Sequence, residues 1–191
     1  MLDRDRYWIR NLSAAVILST SFGCYVPTGA HLDAHSMHVE SVKLDPRTST
    51  PVILLQEEEG ARRRLPIWIG VYEAQSIAMG LQRIESPRPN SHDLMRNLVE
   101  KIDGRVARVV ITELKEGVYY ALLEVEIDGR TVVLDSRPSD AIALAIRTGT
   151  RVYATEEVLR RGSFVPDGGE ALDIEWKVSN RTDLESVLHT H

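Results

Sequence analysis

Residues 39–80 and 106–147 carry one pattern twice, at a constant spacing of 67 positions and with no gap. Val39 meets Val106, Val42 meets Val109, Leu55 meets Leu122, Glu57 meets Glu124, Glu59 meets Glu126, Arg63 meets Arg130, Ala74 meets Ala141 and Ala78 meets Ala145. Eight identities in 42 pairs is modest, but the apolar positions agree as well: Leu44 with Ile111, Ile67 with Leu134, Ile77 with Leu144. Glu73 falls on Asp140, so an acid recurs at the same place in each copy. A repeat constrains architecture before any single motif does, and two copies are too few for a solenoid. The expectation is one compact α+β domain built from a duplicated strand–strand–strand–helix unit, with additional helices.

In the first copy the strands fall at 38–44, 51–58 and 64–69; in the second at 106–112, 118–127 and 131–135. Glu59-Gly60, Lys115-Glu116-Gly117 and Asp128-Gly129 read as the turns, the last a strong hairpin signal. Ala74, Ile77, Ala78 and Leu81 then share one helical face. The counterpart, residues 141–146 (AIALAI), is apolar all round and needs cover on more than one side, which a second subunit could supply. Between the copies a Pro-rich loop at 86–90 leads to a helix over 91–102, with Leu94, Leu98 and Ile102 expected inward. A short strand at 151–153 and a helix at 156–161 follow.

The body is thus expected at 37–165, with a leader at 1–36 and a tail at 166–191, where Thr182 and Glu185 have capping-box spacing. The apolar run at 12–26 behind Arg4, Arg6 and Arg10 falls short of the roughly 20 residues that span a bilayer. It suits a signal-peptide core, and Gly23-Cys24 resembles a lipoprotein cleavage site, with Cys24 then the lipid anchor. Ser21 and Phe22 depart from that signal. The competing reading takes Met37 as the initiator, so that 1–36 is not needed for folding. Localisation divides with it: cytoplasmic, or exported and lipid-anchored. His31, His35 and His38 with Asp33 have helical ligand spacing, but the segment reads as disordered.

A net charge of −5 argues against a broad phosphate-binding face. Arg62-Arg63-Arg64 and Arg160-Arg161 read as a solvated turn and a solvated helix end. One cysteine excludes an internal disulfide and any multi-cysteine metal site.

The polar residues concentrate at the strand-to-helix joints. Pro138 fits a first helical position, which puts Asp140 near N3, and Glu73 holds the same place in the first copy. Acids there are explained by the helix dipole alone, at about 0.3–1 kcal/mol each. Yet Arg137, Ser136 and Ser139 surround Asp140, Trp68 and Tyr72 flank Glu73, and His92-Asp93 open the intervening helix. Three polar helix starts at one end of a small sheet would make an anion-binding corner.

The runs LPIWIGVYEAQSIA (65–78), RPNSHDL (88–94) and SRPSDAIALAIRTGTRVYATEEVL (136–159) resemble the bifunctional nuclease domain family over about 37–159. The resemblance implies an α+β domain with a duplicated unit, self-association into a homo-oligomer, and cleavage of DNA and RNA. It carries over Gly70, Glu73, His92, Asp93, Arg137, Ser139 and Asp140 as motif positions. On that reading Glu73, Asp93 and Asp140 are ligands of Mg²⁺ or Mn²⁺. His92 is the base or proton donor, and Arg137 and Ser139 hold the phosphate. The alternative is a non-catalytic module that binds an anion or a partner protein, which the acidic balance favours.

Overall fold

The computed structural model describes residues 33–165. Seven strands form one mixed sheet: β1 (Ala34–Leu44), β2 (Pro51–Glu57), β3 (Arg64–Trp68), β4 (Arg105–Lys115), β5 (Val118–Ile127), β6 (Arg130–Ser136) and β7 (Val152–Thr155). Four helices accompany it: α1 (Val71–Leu81), α2 (Ser91–Lys101), α3 (Pro138–Thr148) and α4 (Glu156–Gly162). The strand order is β3-β2-β1-β7-β4-β5-β6. β7 therefore separates the two halves, antiparallel to β1 and parallel to β4. The α+β class is as expected, and strand–strand–strand–helix occurs at 34–81 and again at 105–148. Among the described residues no helix is long and apolar enough to cross a membrane.

The 67-residue spacing holds in parts of this frame and slips in one. Both first strands carry a bulge at the matching place, between Val39 and Ser41 and between Val106 and Arg108. Across the sheet Val39 pairs with Leu55 and Leu55 with Leu65. In the second half Val106 pairs with Val125 and Val125 with Val132. First and third strands keep the spacing; the second strand is displaced by three residues, so Leu122 is not the counterpart of Leu55. The tight turns agree with the sequence, with positive φ at Glu116-Gly117 and at Asp128-Gly129, as two-residue hairpins demand.

β1 begins at Ala34, so the expected boundary at residue 37 falls inside a strand. The segment has strand rather than helix geometry, and His35 and His38 therefore point to opposite faces. His35 sets Nδ1 2.9 Å from Glu57 and Nε2 2.9 Å from Glu156. Arg63 grips the same two carboxylates in bidentate fashion, which corrects its reading as part of a solvated turn. Arg160, by contrast, is exposed and paired with Glu157 at the end of α4. Cys24 and the capping box at Thr182 lie outside the described residues.

Residues 141–145 of α3 are buried as the all-round apolar run requires. Sheet strands β4 and β5 cover one side and α1 and α2 the others, so cover comes from within the chain. Helix α2 reverses the expectation. It turns His92 inward, while Leu94 (63% exposed), Leu98 (61%) and Ile102 (46%) face out. The apolar stripe is present, but the polar side is the one with partners inside.

The sheet curls strongly. Gly162 on α4 lies against Leu65 of β3 and Tyr119 of β5, and a methyl group there would come within 3.1 Å of the one and 2.5 Å of the other. Four strands lie between those two in the sheet order.

Candidate functional site

Three helix starts converge as the joints predicted. Glu73 is N3 of α1 after Gly70, His92 is N2 of α2 after Asn90, and Asp140 is N3 of α3 after Arg137, with Pro138 at N1. Gly70 has an ordinary extended backbone, so its role is space: a Cβ there would overlap Oε2 of Glu73. The Glu73 carboxylate folds back over its own helix start because that position is bare.

From this carboxylate a continuous chain of contacts runs through the helices. Arg137 NH2 lies 2.9 Å from Glu73 Oε1. The same guanidinium donates to Asp140 through Nε (2.7 Å) and NH2 (2.9 Å). Asp140 Oδ1 is 3.1 Å from His92 Nε2, and His92 Nδ1 is 2.9 Å from Ser76 Oγ. Ser76 Oγ also accepts from Arg147 NH2 at 2.9 Å. The Asp140 carboxylate can only accept, so His92 donates to it from Nε2. In the neutral imidazole Nδ1 is then the acceptor and takes the one hydroxyl proton of Ser76. Arg147 continues the chain to Asp93 Oδ1 at 2.6 Å.

The electrostatics follow this chain. Burial pushes the Asp140 carboxyl up, but hydrogen bonds from Arg137 and His92 outweigh it and hold the group below the ordinary carboxylate value. Asp140 is ionised at neutral pH. The carboxylates raise the Arg137 guanidinium further above its already high value.

A cavity of about 400 Å³ opens over this corner, lined by Tyr72, Glu73, His92, Arg137 and Asp140 with Ser76 at its floor. Four of the expected residues therefore meet: Glu73, His92, Arg137 and Asp140. Asp93 does not join them. Its carboxylate accepts from the Asn90 backbone in a capping box and from Arg147, and it lines a neighbouring cavity of about 660 Å³ with Arg83 and Arg96. Ser139 is buried and lines a third cavity of about 390 Å³ on the other side of Arg137.

The three acids expected as metal ligands, Glu73, Asp93 and Asp140, are not brought together. Among the described residues no group of three or more His, Cys, Asp or Glu side chains converges to hold an ion. Glu73 and Asp140 face each other across a guanidinium, and the third acid is elsewhere. Two participants were not anticipated, Ser76 and Arg147. Their signal was spacing: Ser76 stands three residues after Glu73 and Arg147 seven after Asp140, each on its partner's helical face.

The bifunctional nuclease domain matches residues 53–167, more than half of the chain. An uncharacterized protein of Mycobacterium tuberculosis is 40% identical over 132 residues, covering 69% of this chain and 78% of its own length. Bifunctional nuclease 1 of Oryza sativa subsp. japonica is 32% identical over 117 residues, and bifunctional nuclease 1 of Arabidopsis thaliana 27% over 124. These matches take in 35% and 34% of the plant proteins, so they speak for the domain rather than for the whole relatives. The chain belongs to the bifunctional nuclease domain family.

Proposed function

We propose that this domain is a phosphodiesterase that cleaves DNA and RNA by gripping phosphate rather than reading bases. The observation that carries the reading is Arg137, whose side chain is 65% exposed over the cavity while its Nε and NH2 are fixed by Asp140 and Glu73. NH1 has no protein partner among these contacts and is the donor left for a non-bridging phosphate oxygen. A bidentate grip by Arg137 would require it to leave its carboxylates.

His92 supplies the proton. As imidazolium it turns its Nε2–H from Asp140 to the departing ester oxygen while water adds to phosphorus, and the proton that the water loses returns to Nε2. One P–O bond breaks, one forms, and His92 ends as it began. Asp140, held ionised, is too weak a base to take the proton itself and instead orients His92 and Arg137. Contacts confined to phosphate are blind to sequence. A Mg²⁺ or Mn²⁺ ion would find two carboxylates here, with Arg137 between them, which does not fit a carboxylate cage.

The test is cleavage of DNA and RNA oligonucleotides by highly purified protein, by Arg137→Ala and by His92→Gln, with and without EDTA. Loss of cleavage in both folded variants supports the reading. Equal cleavage by parent and variants would expose a contaminant. No cleavage, with an Arg137-dependent rise in melting temperature on adding phosphate, favours the anion-binding module. Self-association is proposed through the outward stripe of α2, because an apolar face of this size is normally covered.

A further inference from the structure

Arg137 is a wall shared by two cavities. One holds Tyr72 with His92 and Asp140; the other, of about 390 Å³, holds Trp68, Gly70, Val118, Tyr119 and Ser139. Both volumes lie in the range of small-molecule sites, about 300–1,000 Å³. We infer that Trp68 is a base-stacking wall, so that the nucleobase next to the phosphate at Arg137 enters the second cavity and the preferred substrate is single-stranded. The inference rests on the proposed phosphate site at Arg137 and adds the substrate's strandedness.

Trp68 is 50% exposed at the end of β3, where Leu65 and Ile67 are buried. Leaving half an indole in water forgoes apolar burial, and the ring is not loose. Its Nε1–H donates to Asp45 Oδ2 at 3.1 Å. Asp45 is buried and is itself fixed by the Arg47 backbone N–H at 3.0 Å. The indole's one polar atom is thus satisfied on the protein side, and what the ring leaves to solvent is carbon without hydrogen-bonding capacity. Such a surface stacks on any base and selects none.

The opposite wall comes from the curl of the sheet. Tyr119 and Val118 belong to β5, which Gly162 and α4 bring up to the β3 edge. On the other side of Arg137, Tyr72 is 70% exposed at the mouth of the first cavity. A phosphate on Arg137 then has an aromatic surface to either side. Bases in a duplex are already stacked and paired, so only an unpaired strand can use both surfaces. Phosphate and base contacts leave the 2′ position unread, consistent with action on DNA and RNA alike.

The decisive comparison uses the full chain, labelled oligo(dT), the same strand with abasic sites in place of its bases, and a duplex of equal length. Binding is read by anisotropy and cleavage by gel. Trp68→Leu should weaken oligo(dT) binding about ten- to a hundredfold while binding to the abasic strand stays unchanged. Trp68→Phe should recover most of the loss, and the duplex should bind more weakly than oligo(dT) to the parent. Equal weakening of both strands by Trp68→Leu, or of neither, overturns the stacking wall. So does a shift to smaller species in sedimentation, which would assign Trp68 to a contact between copies. Failure of the parent to bind or cleave any strand instead overturns the phosphate reading, as does retention of abasic-strand binding in Arg137→Ala.

Discussion

The Nε2 atom of His92 lies 3.1 Å from Oδ1 of Asp140, joining the start of α2 to the start of α3. Asp140 is thereby more than a helix-start acid: it fixes a histidine and an arginine at once. Asp140→Asn keeps the shape and loses the charge. Cleavage should fall by about a hundredfold or more, in keeping with general acid–base catalysis, while the far-ultraviolet circular dichroism is unchanged. A dipole role alone would lose about 1 kcal/mol of stability and leave cleavage intact.

Acid should unfold the domain through a defined set of carboxyls. Asp140 and Asp93 are pushed up by burial but held low overall, Asp140 by Arg137 and His92, Asp93 by Arg147 and the Asn90 backbone. Arg63 lowers Glu57. A depressed folded-state pKa means that the unfolded chain binds protons first as pH falls. Their contribution is therefore complete above the unfolded values, about 4, and is lost as pH drops through the folded ones. Melting temperature should be level from pH 7 to about 5 and fall below that. In Asp93→Asn the acid limb should be shallower; an unchanged limb would discount that pair.

A chain beginning at Met37 should fold but melt lower. It lacks His35 between Glu57 and Glu156, the Glu58 N–H bond to Ser36 O and the Glu156 N–H bond to Asp33 O. At about 1 kcal/mol for each hydrogen bond, the two backbone bonds alone correspond to roughly 4–8 °C in a domain of this size. Scanning calorimetry against a chain beginning at Asp33 is the measurement. Identical melting would show that the β1–β7 pairing over 34–36 contributes nothing.

Leu94→Lys with Leu98→Lys should yield a smaller species in analytical ultracentrifugation without lowering the monomer's stability, because neither side chain is covered by the described residues. A parent that already sediments as a monomer would remove the interface.

The joints were the most legible part. Pro138 at N1, Asp140 at N3, the two Gly turns and the buried run after Asp140 each follow from local chemistry that tertiary contacts had no reason to override. The orientation of α2 was not legible. Periodicity says which residues share a face, and Arg147 and Ser76 decided that the polar face would be the inner one. Asp93 could be read as an acid at a helix start, but not as the acid claimed by a buried arginine from α3. The second strand was misaligned for a related reason. Identities such as Leu55 with Leu122 ignore which way a side chain points, and a three-residue slip exchanges the two faces of a strand. By register the counterpart of 51–57 is 121–127.

The strand at the middle of the sheet is the seventh to be made. Until residues 152–155 leave the ribosome, β1 and β4 each present an open edge, and neither hairpin set can bond to the other. The order of synthesis and the order in space are opposed. The two halves must wait, partly formed, for four residues that zip between them, and that wait is dominated by contacts distant in sequence. During translation the exposed edges are templates for pairing with a neighbouring nascent chain. Folding speed and yield should therefore turn on Val152–Thr155 far more than so short a strand would suggest.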